Sequence, residues 1–198
     1  PSAYWRAEDV VAHRVALEIP EWAPVPALVW LDLKLLDESN VLLTYGTGGE
    51  DTLSLGPWRV RGVVAIPDQA VRLGARLGPG IELAAYDMAL EGNRLLIDLY
   101  WRAVGITEGD ATVFVHLLND AGDLVAQDDG QPAEGAYPTS WWLEGDVVRD
   151  RHEVRLAGEG DALLRLGMYS PETGSRLPAF GSDGERLQDD AILLDLDK

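Results

Sequence analysis

Cysteine is absent from this 198-residue chain, and with it go disulfides, thiolate metal ligands and cysteine nucleophiles. That absence does not fix a compartment. Positive charge is scarce: 16 basic residues stand against 34 acidic ones, for a formal net charge of −18. So acidic a chain repels a phosphate backbone and offers no basic stripe, so no nucleic-acid partner is expected. Long hydrophobic runs are missing too. No stretch approaches the roughly 20 apolar residues that span a bilayer, and residues 1–14 lack the apolar core of a secretory signal, so a soluble piece is expected. With 46% hydrophobic and 25% charged residues the chain can bury enough apolar surface to offset its ordering entropy. Its length suits one large β domain or two smaller ones, and the repeat described below favours two.

Catalytic signatures are missing as well. There is no Gly-x-Ser-x-Gly elbow. His13, His116 and His152 sit in strand-like contexts. The first and last occupy corresponding parts of the repeat and read as structural or exposed strand positions, while His116, sharing a face with Thr112, Phe114 and Leu118, reads as a core or interface histidine. Asp128 and Asp129 are adjacent, as are Asp189 and Asp190. In an extended chain neighbours point to opposite faces, so neither doublet can flank a sugar as a glycosidase pair. The acids lack EF-hand spacing, which leaves only a loop calcium site at Asp128, Asp129 or Asp183 as an alternative. The glycines at 46, 48 and 49 have no following lysine and precede Glu50 and Asp51, so they read as a turn rather than a phosphate loop. The expectation is a fragment that is not an enzyme, with no cofactor and no metal.

What the chain does contain is a partial copy of itself. Trp5, Asp9, Val10 and Val11 recur 137 residues later as Trp142, Asp146, Val147 and Val148. Further on the offset is 134, placing Glu38, Leu43, Leu53 and Val60 on Glu172, Leu177, Leu187 and Leu194. The three-residue difference falls in a loop at residues 19–26, where an insertion is tolerated. Residues 81–141 have no upstream counterpart. We therefore read residues 1–66 as a partial β unit, the second half of a repeat, 67–80 as a Gly- and Pro-rich connector, and 81–198 as a complete unit. A half unit leaves strand edges and an apolar face to be covered by the complete unit or by a second copy, as a homodimer, and its missing front half implies that Pro1 lies inside a larger protein.

Hydrophobic alternation makes both units all-β. Leu95, Ile97, Leu99 and Trp101 alternate with Asp98, Tyr100 and Arg102, and residues 112–118 and 124–126 flank an Asn-Asp-Ala-Gly turn, which reads as a hairpin. Further strands are expected at 147–156, 162–169 and 191–196, and in the first copy at 15–19, 27–36 and 55–60, with turns at 171–174 and 37–40. Strands at this spacing predict an antiparallel β-sandwich, jelly-roll or immunoglobulin-like.

Aromatic and polar residues crowd residues 128–142. Rings stack on sugar faces while neighbouring polar groups bond hydroxyls, which makes Trp141, Tyr137, Asp128, Asp129, Gln131 and Thr139 candidate carbohydrate-binding residues. Trp142 has its repeat partner in Trp5 and is expected inward, leaving Trp141 outward.

Several of these segments carry a resemblance. Tyr100 and Trp101, TVFVHLL at 112–118, VAQDD at 125–129, Gln131 and Pro132, GAYPTS at 135–140, Trp142, residues 145–148 and residues 150–152 form one series. Tyr169, Pro171, Thr173, Gly174, Arg176, Leu177 and Pro178 continue it, and Leu83 with residues 86–88 precede it. The series resembles the soluble module at the carboxyl end of bacterial, notably Chloroflexi-type, polytopic membrane glycosyltransferases similar to the protein mannosyltransferases. It covers 81–198 well and 1–62 in part, and departs from the family at residues 160–164, where members commonly carry a Pro-Gly-aromatic turn. The resemblance implies a non-catalytic accessory module on the extracytoplasmic side of a bacterial membrane, attached to the transmembrane part of its parent chain. It would bind carbohydrate or position substrate, or else serve as a spacer or protein-interaction module.

Overall fold

The computed structural model describes residues 12–20, 23, 25–36, 39, 42–43, 51–62, 64–156 and 161–196. In chain order the strands are β1 (Ala27–Leu33), β2 (Leu35–Leu36), β3 (Leu42–Leu43), β4 (Leu53–Val60), β5 (Val71–Leu77), β6 (Ile81–Glu91) and β7 (Arg94–Ala103). After them come β8 (Thr112–Asn119), β9 (Leu124–Gly130), β10 (Val147–Arg155), β11 (Asp161–Tyr169), β12 (Ala179–Phe180) and β13 (Ile192–Asp195). Among the described residues the only helical pieces are short 3-10 turns, including Pro132–Gly135 and Thr139–Trp141. The protein is all-β.

Two antiparallel sheets pack as a sandwich. One runs β10-β7-β6-β5-β12 and the other β13-β11-β8-β9. The β8–β9 hairpin of the second sheet continues into the β7–β10 pair of the first, so one long ribbon folds across both layers, a device shared with jelly rolls. Alternation in sequence becomes alternation in burial. On β10, Val148, Asp150, His152 and Val154 face inward while Arg149, Arg151, Glu153 and Arg155 face solvent. Ile97, Leu99 and Trp101 of β7 meet Val113, Val115 and Leu117 of β8 and Leu164, Leu166 and Met168 of β11 in the same buried core. Each such side chain contributes about 1.5–3 kcal/mol by leaving water.

The expected connector needs correcting. Residues 71–77 are strand β5, paired with β6 on one side and β12 on the other, with Ala75 and Leu77 in the core. Its glycines gave it linker composition for two local reasons. Gly74, at φ +75°, sits where the β5–β6 register shifts, and Gly78, at φ +55°, opens the turn into β6. Gly80 next to it passes so close to residue 106 that a Cβ would lie 2.4 Å from the Ile106 carbonyl oxygen. β6, which periodicity did not delimit, is the longest strand in its sheet. Residues 15–19, expected as a strand, are exposed and outside any strand. The glycines at 46, 48 and 49 and residue 160 lie outside the described residues, while the rest of the 160–164 stretch where the family pattern breaks is the start of strand β11.

Upstream, β1 pairs antiparallel with β4, and β2 with β3. The order matches the end of the chain, where β11 pairs with β13 and Tyr169 bridges Arg176. The likeness is one of topology rather than of strict register. Shifted by 134, the Ala27 and Val60 pair would fall on Asp161 and Leu194, yet Leu194 pairs with Leu164. The start of β1 docks on the sandwich: Ala27 and Leu28 are buried, and the Leu28 N–H donates to the Ala136 carbonyl at 2.9 Å. The rest of this segment leaves apolar side chains in water, including Trp30 and Trp58, 58% and 49% exposed.

Candidate functional site

The six candidate residues of the 128–142 segment do not form one surface. Tyr137 and Thr139 are fully buried. The Tyr137 hydroxyl lies 2.6 Å from the Asp146 carboxylate and 2.7 Å from the Trp141 carbonyl, and the Arg59 guanidinium sits 5.6 Å from its ring centroid. Burial, then the Asp146 carboxylate, raises the Tyr137 pKa beyond the ordinary phenol range, so this ring is a neutral structural post. Thr139 Oγ1 accepts from the Ala111 N–H at 2.8 Å and donates to the Gly109 carbonyl at 3.0 Å. Trp142 is buried, its indole N–H donating to the Tyr137 carbonyl at 2.8 Å, whereas Trp141 is 40% exposed. Gln131 is exposed beside the 132–135 turn.

Asp128 and Asp129 point to opposite faces of β9, as neighbours on a strand must. Asp129 approaches His116 at 3.5 Å on the outer side of the four-stranded sheet, where burial lowers the His116 pKa against the opposing pull of Asp129. Asp128 turns inward to His152. There the imidazole lies between two carboxylates, Nδ1 at 3.1 Å from Asp128 and Nε2 at 2.9 Å from Asp150. Asp150, 2% exposed, also accepts from the Trp101 indole at 3.1 Å and from the Ala133 N–H at 3.0 Å. Burial alone would lower the His152 pKa, but Asp150 and Asp128 outweigh it and raise it. The ring stitches β9 of one sheet to β10 of the other. Through Asp150 it also anchors a strained turn, since Ala133 and Glu134 hold φ of 52° and 55°.

That turn forms part of the wall of a polar trough on the outer face of the five-stranded sheet. About 500 Å³ is enclosed between the sheet and residues 64–69, which cross over it. Val64 and Ile66 pack with Ala70 on Ala85 and Tyr100, giving an apolar side. The polar side comes from cross-strand pairing: Asp87 lies opposite Asp98, Asp98 opposite Arg151, and Tyr100 opposite Arg149. Two carboxylates facing each other across a sheet repel, and the arginines offset this. Arg149 bonds Asp98 through Nε at 3.1 Å and Nη2 at 2.7 Å, and Arg151 through the same atoms at 3.0 and 3.1 Å. Burial pushes the Asp98 pKa up, but the two guanidinium groups prevail and hold it below the usual carboxylate value. Asp98 is therefore an acceptor and not a proton donor. Gln69 donates to Asp87 at 3.3 Å. Beyond Arg149 and Ala133 the trough runs on into a depression of about 540 Å³ lined by residues 133–136 and Arg151.

A depression of about 420 Å³ at the opposite edge is lined by residues 181–188 with Leu73 and Leu193, and its Arg186 is spent on Asp190 at 2.8 Å. Among the described residues no group of three or more His, Asp and Glu side chains is placed to hold a metal ion, Asp183 included. The trough residues escaped sequence reading because Gln69, Asp87, Asp98, Arg149 and Arg151 converge only through strand pairing. The one signal available was the outward row of Arg149, Arg151 and Arg155 on β10 in an otherwise acidic chain.

Fold and site together define an antiparallel β-sandwich bearing a polar trough on one outer sheet face. No family model, curated protein or solved structure matches the chain. Among the described residues no helix is long and apolar enough to cross a membrane.

Proposed function

We propose that this chain is a non-catalytic accessory module that binds carbohydrate in the trough, carried by a bacterial membrane glycosyltransferase on its extracytoplasmic side. The attachment rests on the sequence resemblance alone. The observation that carries the binding reading is the meeting of an apolar wall, at Val64, Pro67 and Tyr100, with hydroxyl-bonding groups at Gln69, Asp87 and Arg149 in one concave space. Sugars present the same combination of apolar faces and polar edges. The lowered pKa of Asp98 supports binding over hydrolysis, because it keeps the carboxylate ionised as an acceptor, whereas a glycosidase general acid needs a raised pKa so that it still holds a proton to donate.

Titration with a broad panel of oligosaccharides by calorimetry tests the reading, with Asp87→Ala and Gln69→Ala beside the wild type. Binding that weakens in both variants is expected. Silence across the panel refutes it, and loss of binding in Trp141→Ala alone moves the site to the 137–142 segment.

A second reading, a spacer or assembly module, draws support from the exposed apolar side chains of β1 and β4. The strand order shared by β1 to β4 and by β11 to β13 supports an internal duplication whose first copy is partial. Homodimerisation through that segment would cover its exposed tryptophans.

A further inference from the structure

We propose that Arg149 and Arg151 form an anion subsite at the end of the trough, and that the saccharide it accepts carries a carboxylate, as a uronic acid does. The inference rests on the carbohydrate reading and specifies its ligand. Its basis is an excess of organised guanidinium donors at one point of an acidic protein. One guanidinium suffices to satisfy a carboxylate bidentately, yet Asp98 receives two, each through Nε and Nη2. A guanidinium has five N–H donors and each spends two on Asp98, so three on each remain, with no other acceptor bonded among the described residues.

These donors are both held and accessible. The shared carboxylate holds both guanidinium groups, and the arginine side chains are 47% and 58% exposed and line the depression with residues 133–136. Asp98 lowers the local charge of the pair to +1, and Asp87, opposite Asp98 across the sheet, brings the cluster to zero, so the subsite offers unspent directed donors rather than net positive charge. Other charges nearby are Asp87, which accepts from the neutral Gln69 amide and keeps its charge, Glu91 and Glu153, both paired with Arg94 at 3.1 and 3.3 Å, and Glu134 on the opposite wall. Glu134 is exposed, so solvent screens it, and the chain's overall negative charge acts through salt whose screening length is about 8 Å at physiological ionic strength. At contact range a carboxylate meets forked donors whose geometry matches it, while a neutral sugar uses only single N–H groups.

Calorimetric titration of the 198-residue chain with an oligogalacturonate, and with a neutral galacto-oligosaccharide of matched length, separates the two. The oligogalacturonate is expected to bind more tightly, to weaken with added salt, and to lose about tenfold in affinity in Arg151→Gln. The neutral ligand should be unchanged by that substitution. Arg151→Lys keeps charge and stem but loses the fork. It should lose affinity for the acidic ligand while melting like the wild type, which separates recognition from folding. Equal affinities for the two ligands, or acidic binding indifferent to both substitutions, overturn the subsite and leave the trough reading standing. Binding of neither overturns both.

Discussion

Replacing Asp150 by alanine should unfold the sandwich more readily than any other single change at a polar residue. Its carboxylate is 2% exposed and accepts from the Trp101 indole, the His152 ring and the Ala133 backbone. Alanine strands the indole N–H of a side chain with no solvent exposure, at about 1–3 kcal/mol. Below the folded pKa of His152, where the ring is protonated, it also leaves a buried imidazolium facing only the more open Asp128, and breaking a buried charge pair costs about 3–5 kcal/mol. The two overlap, since one carboxylate serves both partners, so a total of about 3–5 kcal/mol is expected, a large share of the roughly 5–15 kcal/mol that holds a domain together. Asparagine keeps one acceptor oxygen and should cost about half as much. Urea unfolding followed by tryptophan fluorescence measures both, with an unchanged m-value showing that the same surface unfolds. A loss below about 1 kcal/mol for alanine, or equal losses for the two variants, would refute a charged, buried clamp.

The same clamp sets a pH dependence. His152 has a raised pKa in the folded state, so its stabilisation is complete below the unfolded value of about 6.5 and disappears as pH rises through the folded one. Thermal melts between about pH 5.5 and 9 should show wild-type stability declining toward the alkaline side and a flatter profile for His152→Gln; parallel profiles would contradict this. Gly80→Ala should destabilise by about 1–3 kcal/mol because its Cβ would press on backbone at residue 106, which cannot swing away as a side chain could. Gly92→Ala, in a turn with open space around it, should cost about 1 kcal/mol from its φ of +66° alone, and a reversed order in denaturation midpoints would show the 78–80 turn to be more yielding than its geometry implies.

Much of the fold was legible because alternation is a local property. β7, β8, β10 and β11 lie where the pattern puts them; β10 alternates between core and water, whereas β8 is buried on both faces and reads as a strand from its β-branched and aromatic run and the turn that ends it. Composition misled at β5, where Gly74 and Gly78 serve a bulge and a turn within the sheet rather than a linker. Trp142 inside and Trp141 outside also followed from sequence, although the pair ends a 3-10 turn rather than lying on a strand.

The candidate site was far less legible. Tyr137 and Thr139 look like ligand-binding residues in sequence, but their polar atoms serve the interior, bonding Asp146, Gly109 and Ala111. Whether a polar group faces ligand or core depends on what packs against it. The sequence by itself determined an acidic, cysteine-free, all-β chain, because charge and side-chain period belong to each residue and its neighbours. Only the tertiary structure decided that Asp98 meets Arg149 and Arg151, and that His152 lies between Asp128 and Asp150. Those meetings depend on which strands pair and in what register, and residues tens of positions apart carry no local mark of it.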